Sequence, residues 1–404
     1  PDGVVKLFKR DNDQWEQIGE DIALLGINNA FGYSVSLSED GNTLAIGLPS
    51  HDTPLSGCGA VNIYKVTDTN EVIDFGVIPG TEAYQGIGFS IDLSYDGNSI
   101  IIGSQDAEYG IVQVYEQQNG DWQLKGNPIV SDIYGDKFGF NVMIDSSGNV
   151  ISAISPSLGI LNGEIPRINV FHYANGDWQI NNDVITSTNF DDAVQYFGLN
   201  NNGNLIAAKK KGANFGEVTF YTVQGNQLEQ RPDFISGETD FNLNNESNVI
   251  SLGRNGQIIA IEGSNKIKIF NHNDGEWTNE NITIESEKVI HNMKISENGR
   301  FIIVSFSGTD YSEREVVVYQ IEFINSLSEP TGADMELYPN PTTSRLFTGI
   351  QVVDYEIVEI ESGRVLKIGH STNGEIKVDE LNRGVYILSV QKEGRTTSFK
   401  FIKK

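Results

Sequence analysis

The sequence has few of the residues that cross-link a chain or bind metal ions. Among 404 residues there is one cysteine, Cys58, and there are five histidines. A single cysteine excludes an internal disulfide framework and any zinc cluster built from cysteines. The histidines show no spacing typical of metal ligands, so we predict no metal site and no cofactor. They are His51, His172, His272, His291 and His370.

Long apolar runs and basic residues are also scarce. No apolar run reaches the roughly 18 residues that a membrane-spanning helix needs, so no membrane span is predicted. The chain carries 28 Lys and Arg against 55 Asp and Glu, a formal net charge of −27. So acidic a surface repels phosphate backbones, which argues against a nucleic-acid partner. The sequence also lacks a GxSxG elbow, a phosphate-binding loop and a dinucleotide fingerprint.

Turn residues, in contrast, are abundant, and they punctuate a repeat. One alternating strand pattern occurs seven times, as GVVKLF, GAVNIY, GIVQVY, PRINVF, GEVTFY, NKIKIF and REVVVY. Between these copies lies a second hairpin with an Asp-Gly, Ser-Gly or Asn-Gly turn. Asp-Gly and Asn-Gly turns predict tight hairpins whose two central residues both have positive φ. The turn glycines are Gly41, Gly97, Gly148, Gly203, Gly256 and Gly299.

Four short antiparallel strands in roughly 50 residues are typical of a β-propeller blade. We therefore predict an all-β chain with a propeller over residues 1–325, a linker over 326–334 and a small antiparallel β-sandwich over 335–404. Seven copies of the third strand favour seven blades. A six-bladed ring closed by the N-terminal hairpin is the alternative. Charge also divides the chain, since residues 335–404 carry +1 and the preceding part −28.

The stretch NGDWQ occurs twice, at 119–123 and 175–179, and could be read as a sugar-binding acid beside an aromatic ring. All four tryptophans share this place in the repeat, however. A shared place predicts that the Asp serves a turn and that the Trp packs between blades. They are Trp15, Trp122, Trp178 and Trp277.

The two kinds of connection in this repeat differ in length. Turns between strands one and two, and between strands three and four, are short, whereas the other two connections are long. One propeller face is therefore predicted to be tight and the other rich in loops, where binding residues concentrate. The basic run 209–211 is interpreted as a solvated loop. The candidate ligand-binding residues of the loop-rich face are His51, Asp52, Tyr84, Asp106, Tyr109, Tyr134, Asp136, Asp310 and Tyr311.

The segments AFGYSVSLSEDGNTLAIGLP and IGFSIDLSYDGNSIIIG resemble the FG-GAP repeats of integrin-type propellers. The resemblance is greatest to the form abundant in secreted flavobacterial proteins, and it covers about residues 1–325. Integrin-type blades often bind calcium in the first hairpin loop. Here those loops shrink to DGN, SGN or NGQ, which offer too few oxygens for calcium. We therefore do not carry a metal site over.

The last part of the chain contains LYPNP at 337–341, ESGRV at 361–365 and LNRGVYIL at 381–388, and it ends in two lysines. In order and spacing these motifs resemble the type A C-terminal sorting domain of the type IX (Por) secretion system. The resemblance implies a set of sorting-signal residues. They are Tyr338, Pro339, Asn340, Pro341, Gly363, Leu381, Gly384, Tyr386, Lys403 and Lys404.

The same resemblance implies a route and partners. Such proteins enter the periplasm, cross the outer membrane through the type IX translocon, and are recognised through the tail by the translocon and an outer-membrane shuttle protein. Many are then cleaved by a sortase and attached to surface lipopolysaccharide. The expected location is the cell surface or the extracellular medium.

No catalytic motif is found, so we expect a non-enzymatic propeller that binds or adheres to a protein or glycan. Two alternatives stay open. One is a secreted enzyme that degrades polysaccharide or peptide with acids converging near the propeller axis, or with a pair such as Asp191 and Asp192. The other is a structural component of an adhesion or gliding apparatus.

Overall fold

A computed structural model describes most of the chain, and all regular structure in the part described is β-strand. The chain forms two compact units, Pro1–Ile321 and Glu322–Lys404. Within the described residues no helix is long and apolar enough to cross a membrane. The described residues are 3–11, 14–24, 30–52, 54–104, 109–156, 166–181, 184–186, 194–211, 215–244, 249–273, 275–296, 299–308, 314–321, 345–347, 353–359, 365–371, 375–392 and 395–403.

The first unit is a succession of short antiparallel strands. In chain order they are β1 (Val4–Asp11), β2 (Gln14–Ala23), β3 (Val35–Leu37), β4 (Thr43–Leu48), β5 (Ala60–Val66), β6 (Val72–Pro79), β7 (Ser90–Leu93), β8 (Ser99–Ser104), β9 (Ile111–Gln118), β10 (Asp121–Leu124), β11 (Ile129–Val130), β12 (Asn141–Ile144), β13 (Val150–Ser155), β14 (Arg167–Ala174), β15 (Asp177–Ile180), β16 (Ile185–Thr186), β17 (Val194–Leu199), β18 (Leu205–Lys210), β19 (Glu217–Gln224), β20 (Gln227–Ser236), β21 (Ile250–Leu252), β22 (Ile258–Gly263), β23 (Lys266–Asn273), β24 (Glu276–Glu285), β25 (Val289–Ile295), β26 (Phe301–Ser307) and β27 (Arg314–Gln320).

These strands form seven sheets in sequence order. Five are four-stranded in path, namely β3–β6, β7–β10, β12–β15, β17–β20 and β21–β24, and β11 and β16 add beside β9 and β14. The sheet β25–β27 has three strands and β1–β2 has two. The innermost strands β3, β7, β12, β17, β21 and β25 contact one another in succession. This is the predicted β-propeller, and all seven predicted third strands are confirmed.

The two kinds of turn in the blade differ in backbone conformation. In the NGD turns both central residues have positive φ, at 52° and 98° for Asn119 and Gly120, as predicted. In the first hairpin the prediction is wrong, because only the glycine, such as Gly41 at 73°, has positive φ. There the Asp40 carboxylate accepts hydrogen bonds from the Asn42 amide at 3.0 Å and the Ser38 hydroxyl at 2.6 Å. These bonds stabilise a longer turn.

Adjacent blades meet through their backbones at the Phe-Gly or Ile-Gly motif. The Ser34 hydroxyl donates to the Gly88 carbonyl of the next blade at 2.7 Å. A Cβ atom on Gly47 would lie 2.1 Å from that same oxygen. The next pair of blades repeats the contact, since Ser90 donates to the Gly139 carbonyl at 2.7 Å. Only glycine in the second strand permits so close an approach.

A second contact recurs along the innermost strands. The middle side chain of one strand accepts a hydrogen bond from a backbone amide of the next strand around the ring. The bonds run from Leu93 to Ser36 at 3.1 Å, from Ile144 to Asp92 at 3.1 Å, from Leu199 to the Met143 sulfur at 3.2 Å and from Ile295 to Ser251 at 2.9 Å.

The tryptophans of the NGDWQ repeat pack between blades, as predicted. Trp122 meets Phe75 of the preceding blade edge-to-face, with ring centroids 6.3 Å apart. Trp178 donates its indole N–H to the Lys125 carbonyl at 2.7 Å. Asp177 accepts the backbone and side-chain N–H groups of Asn127, at 2.9 and 2.7 Å, so this Asp links two blades. The stretch is thus a packing element between blades.

The two-stranded sheet β1–β2 lies between the last blade and β3–β6. Trp15 packs on Phe301 of β26 with centroids 6.3 Å apart. On the other side, Val5 and Ile22 pack against the core that contains Leu44 and its neighbours. In the described part of the chain there are therefore seven sheets but six innermost strands, which combines features of both predicted rings.

The second unit has two antiparallel sheets. Its core joins side chains of both, including Leu346, Ile357, Ile376 and Tyr386, which confirms the predicted β-sandwich. One sheet pairs β28 with β31, and the other has the order β30-β29-β32-β33. The strands are β28 (Arg345–Phe347), β29 (Val353–Glu359), β30 (Val365–Ser371), β31 (Glu375–Lys377), β32 (Gly384–Lys392) and β33 (Arg395–Lys403).

The contact at Gly47 predicts a specific loss of stability. Gly47→Ala forces the Gly88 backbone away and is expected to lower the free energy of unfolding by about 3 kcal/mol. Gly41→Ala is the control, because a Cβ there meets nothing within 4 Å and costs only the strain of positive φ, about 1 kcal/mol. Urea unfolding followed by tryptophan fluorescence measures both, since all four Trp lie in the first unit. Equal costs for the two variants would contradict the prediction.

Candidate functional site

Three of the predicted ligand-binding tyrosines project from the loop-rich side of the first unit. Tyr84, Tyr109 and Tyr134 are 70%, 40% and 61% exposed. The rings of Tyr109 and Tyr134 meet edge-to-face with centroids 5.6 Å apart. Their loops lie on one side, because equivalent connections of successive blades bridge in the same way, at Gly59 and Ile87 and at Gly110 and Phe138. We call Tyr84, Tyr109 and Tyr134 the tyrosine row.

The loop at 49–59 holds Tyr84 in place. The Asp52 carboxylate accepts the Gly57 amide at 2.7 Å and the Ser56 hydroxyl at 3.3 Å. Ser56 in turn accepts the Tyr84 amide at 2.8 Å through its carbonyl, and Tyr84 has a positive φ of 58°. His51 is half-buried, and its carbonyl accepts the Gly59 amide at 3.0 Å. Asp52 thus shapes the loop that supports Tyr84.

Asp136 is buried, at 5% exposure, beneath the loop that carries Tyr134. Its carboxylate pairs with Arg167 at 2.6 Å and accepts the Ser131 hydroxyl at 2.7 Å and the Phe138 amide at 3.0 Å. These bonds hold the loop in place, so Asp136 anchors the loop that carries Tyr134. The remaining candidates, Asp106, Asp310 and Tyr311, and the acid pair Asp191 and Asp192 lie outside the described residues.

A second row of aromatic rings was missed from the sequence. Tyr33, Phe89 and Phe140 follow the Phe-Gly or Ile-Gly motif in three successive blades. Their centroids are 4.8 Å apart between Tyr33 and Phe89 and 5.5 Å apart between Phe89 and Phe140. Tyr33 is 56% exposed. An aromatic after the motif glycine in three repeats was the available signal, but it also fits a strand core.

Charged residues from distant blades meet near the tight-turn ends of the innermost strands. Arg254 pairs with Glu39 at 2.9 Å and approaches Asp92 at 3.5 Å. Asn201 donates its amide N–H to Glu39 at 2.9 Å. The Lys294 side chain is exposed to water. Desolvation by the surrounding protein lowers the pKa of Lys294, and the negative charge of Asp92 opposes this shift. The acids near the axis are thus tied to cations across the ring.

The basic run 209–211 does not form a solvated loop, so that interpretation is wrong. Lys209 belongs to β18, is 0% exposed, and donates to the Glu262 carbonyl at 3.2 Å. Burial lowers the pKa of Lys209 to about 8, against the opposing charge of Glu262. A strongly shifted lysine can mark a catalytic site, but this one is enclosed in the packing between two blades.

The remaining reactive features are also structural. Cys58 is fully buried. A cleft of about 440 Å³ lies between the second and third four-stranded blades, counted from β3–β6 as the first, and is lined by Arg167, Asp177 and Trp178 among others. The polar atoms of that Trp and Asp are already bonded to the protein. Among the described residues no three His, Cys, Asp or Glu side chains are grouped to hold a metal ion.

In the second unit, the sorting-signal residues that are described lie in or near the core. Tyr386 is 1% exposed and donates its hydroxyl to the Asn382 carbonyl at 2.9 Å. Leu381 packs against the same core. Gly384 pairs with the largely buried Lys403 between β32 and β33. The sorting-signal residues outside the described part are Tyr338, Pro339, Asn340, Pro341, Gly363 and Lys404.

The end of the chain matches one family model. The family model described as a secretion system C-terminal sorting domain matches residues 336–404. This type IX sorting tail indicates export out of the cell, to its surface or the extracellular space, and an interaction with the type IX machinery. A search of curated proteins found no significant match.

Solved structures match the chain at low identity. A chain of the mitotic checkpoint complex is 14% identical with a TM-score of 0.52, over 80% of this chain and 85% of that one. A candidate 6-phosphogluconolactonase from Bacteroides fragilis is 14% identical with a TM-score of 0.50, over 85% and 97%. The β-propeller domain of Cps50 (Swd1) from Myceliophteria thermophila is 11% identical with a TM-score of 0.47, over 98% and 99%. At these identities the similarity concerns the fold alone.

Lys209 predicts a distinct dependence of stability on pH. Its pKa is about 8 in the folded state and near 10.5 when unfolded, so between these values the unfolded chain binds more protons and stability rises with pH. We expect the wild type to gain about 3 kcal/mol over this range relative to Lys209→Met. Urea unfolding at stepped pH measures the difference. Lys6→Met, at a half-exposed lysine, is the control, and parallel profiles for wild type and Lys209→Met would contradict the assignment.

Proposed function

We propose that the protein is a type IX cargo whose propeller binds a protein or glycan at the cell surface or outside the cell, without catalysing a reaction. The observation that carries this proposal is the tyrosine row on the loop-rich side. A tyrosine presents a large apolar ring and a polar hydroxyl and loses little conformational freedom on binding. Three such residues on one side of the unit, two of them on anchored loops, form a surface suited to adhesion.

The anchoring of these loops supports binding with little rearrangement. Asp52 fixes the loop below Tyr84, and the buried Asp136, paired with Arg167, fixes the loop below Tyr134. Binding residues held in place before contact pay less ordering entropy on association. The net charge of −27 disfavours anionic ligands, so a neutral glycan or a basic protein is the favoured partner.

The second unit supplies delivery in this proposal. The type IX translocon and an outer-membrane shuttle protein recognise it, and a sortase acts on the chain before the tail. Because Tyr386 and Lys403 contribute to packing of the sandwich, recognition depends on the folded domain rather than on an extended peptide.

Export through the tail can be tested by truncation. The full-length chain and a version ending at Asp334 are expressed in a bacterium that has the type IX system, and each is located by protease accessibility on intact cells. We expect only the full-length protein on the surface. Equal export of both versions would reduce the second unit to an ordinary sandwich domain.

Binding through the tyrosine row is tested with neutral polysaccharides and basic proteins immobilised on a biosensor. The triple variant Tyr84→Ser, Tyr109→Ser, Tyr134→Ser is expected to lose at least about tenfold in affinity, since stacked aromatic anchors dominate such interfaces. Tyr95→Ser is the matched control, because Tyr95 is 48% exposed but lies in a tight turn on the opposite side. Equal losses in the triple variant and the control would exclude the row as the site.

Catalysis is tested separately with dye-labelled polysaccharides and peptides. We expect no turnover, since the described acids near the axis and below the loops are paired with Arg254 and Arg167. Turnover that disappears on substitution of one acid would make the protein an enzyme.

A further inference from the structure

The sheet β1–β2 has only the outer half of a blade. In the five four-stranded blades the third strand pairs with a second strand on its inner edge. In the described part of the chain β1, which is the third strand of its repeat, pairs with β2 alone. No described strand pairs with its inner edge, and an edge of this kind is a template for another strand.

One flanking blade exposes apolar side chains beside this edge. Val35 and Leu37 are 55% and 43% exposed on innermost strand β3. They pair with Ile46 and Leu44 and so share one sheet face with them. Those partners are at most 4% exposed, because β1–β2 covers them. The sheet β1–β2 thus covers the outer half of this face and leaves the inner half exposed.

The blade on the other side shows the same division. Phe301 is covered by Trp15, and the Arg10 guanidinium lies 4.6 Å from the Phe301 ring centre. Ile303 and Val316, on the same face, are 44% and 63% exposed. The exposed apolar groups of the two blades and the inner edge of β1 bound a slot.

Lys294 indicates that the slot lies where another innermost strand would fit between β25 and β3. Ser36, Asp92, Met143 and Ser251 each accept an amide of the next innermost strand. Lys294 stands at the equivalent place on β25, pairing with Ile303, and its side chain is accessible to water. On β3, at the other side of the slot, Leu37 occupies the position equivalent to Leu93, whose backbone amide donates to the preceding innermost strand.

The geometry points to a binding slot for a β-hairpin, filled by a polypeptide segment with the pattern of this chain's own first two blade strands. Such a segment alternates apolar residues on both faces, turns at Asp-Gly-Asn, and has glycine where neighbouring backbones touch. In the second blade, Ile91 and Leu93 face the preceding blade while Ile101 faces the following one. A hairpin of this kind would cover both slot walls and pair with β1.

The backbone contacts of Gly3 define the point at which a hairpin segment can be connected to β1. A Cβ on Gly59 or Gly110 would meet the carbonyl of Ile87 or Phe138 at 2.3 Å, and a Cβ on Gly3 would meet the Phe31 carbonyl in the same way. Gly3 is therefore the equivalent of Gly110. A copy of residues 88–109 placed directly before Gly3 reproduces the hairpin and the connection of the second blade.

The experiment compares the full chain with this chimera. We expect the chimera to unfold at a higher urea midpoint, and hydrogen exchange of the β1 amides to slow by about tenfold or more, because the edge becomes paired. A peptide of residues 88–104 added to the unfused chain is expected to slow the same amides. An unchanged midpoint and unchanged exchange in the chimera would overturn the proposal.

Matched variants test whether the slot walls carry the effect. Val35→Lys and Val316→Lys alter exposed residues and should leave the unfused chain unchanged, but they should remove the gain in the chimera. Val130→Lys, 53% exposed and away from the slot, should keep the gain. An equal loss with Val130→Lys would overturn the assignment. Protection of β1 that grows with concentration of the unfused chain would show a second copy in the slot and overturn the hairpin.

Discussion

Backbone-to-backbone contact between neighbouring blades is the constraint on which the first unit depends. At Gly47 and Gly88 two backbone segments approach so closely that a single Cβ would meet a carbonyl oxygen at 2.1 Å. The Ser34 hydroxyl that bonds this carbonyl keeps a buried polar group satisfied while the blades stay close. The apolar side chains between blades can interlock only because the backbones are this near.

The contacts between blades position the surface that we propose as functional. Tyr84 and Tyr134 precede the motif glycines Gly88 and Gly139 by only a few residues. A loop that leaves so fixed a point has little freedom, and Asp52 and Asp136 restrict it further by bonding backbone amides and Arg167. Asp52 and Asp136, which the sequence suggested as ligand contacts, therefore act by fixing the loops that carry Tyr84 and Tyr134.

Closure of the ring depends on different interactions. Arg254 reaches Glu39 and Asp92 from the far side of the axis, which ties the fifth blade to the first and second. Between the last blade and the first, the half-blade β1–β2 covers the outer halves of both faces. Buried charge is tolerated at the axis because Arg254 has Glu39 and Asp92 as opposite partners. The apolar side chains of the slot, in contrast, stay exposed.

The sequence by itself determined the repeat, because strand alternation and turn glycines are local signals. It predicted all seven third strands, the interblade place of the tryptophans and the C-terminal β-sandwich. It also led to the tyrosine row, since long loops are visible as spacing. Only the tertiary structure decided that Asp136 and Lys209 are buried and that Tyr33, Phe89 and Phe140 form a row. Burial and ring contacts depend on which distant strands become neighbours, and no local pattern of residues encodes that.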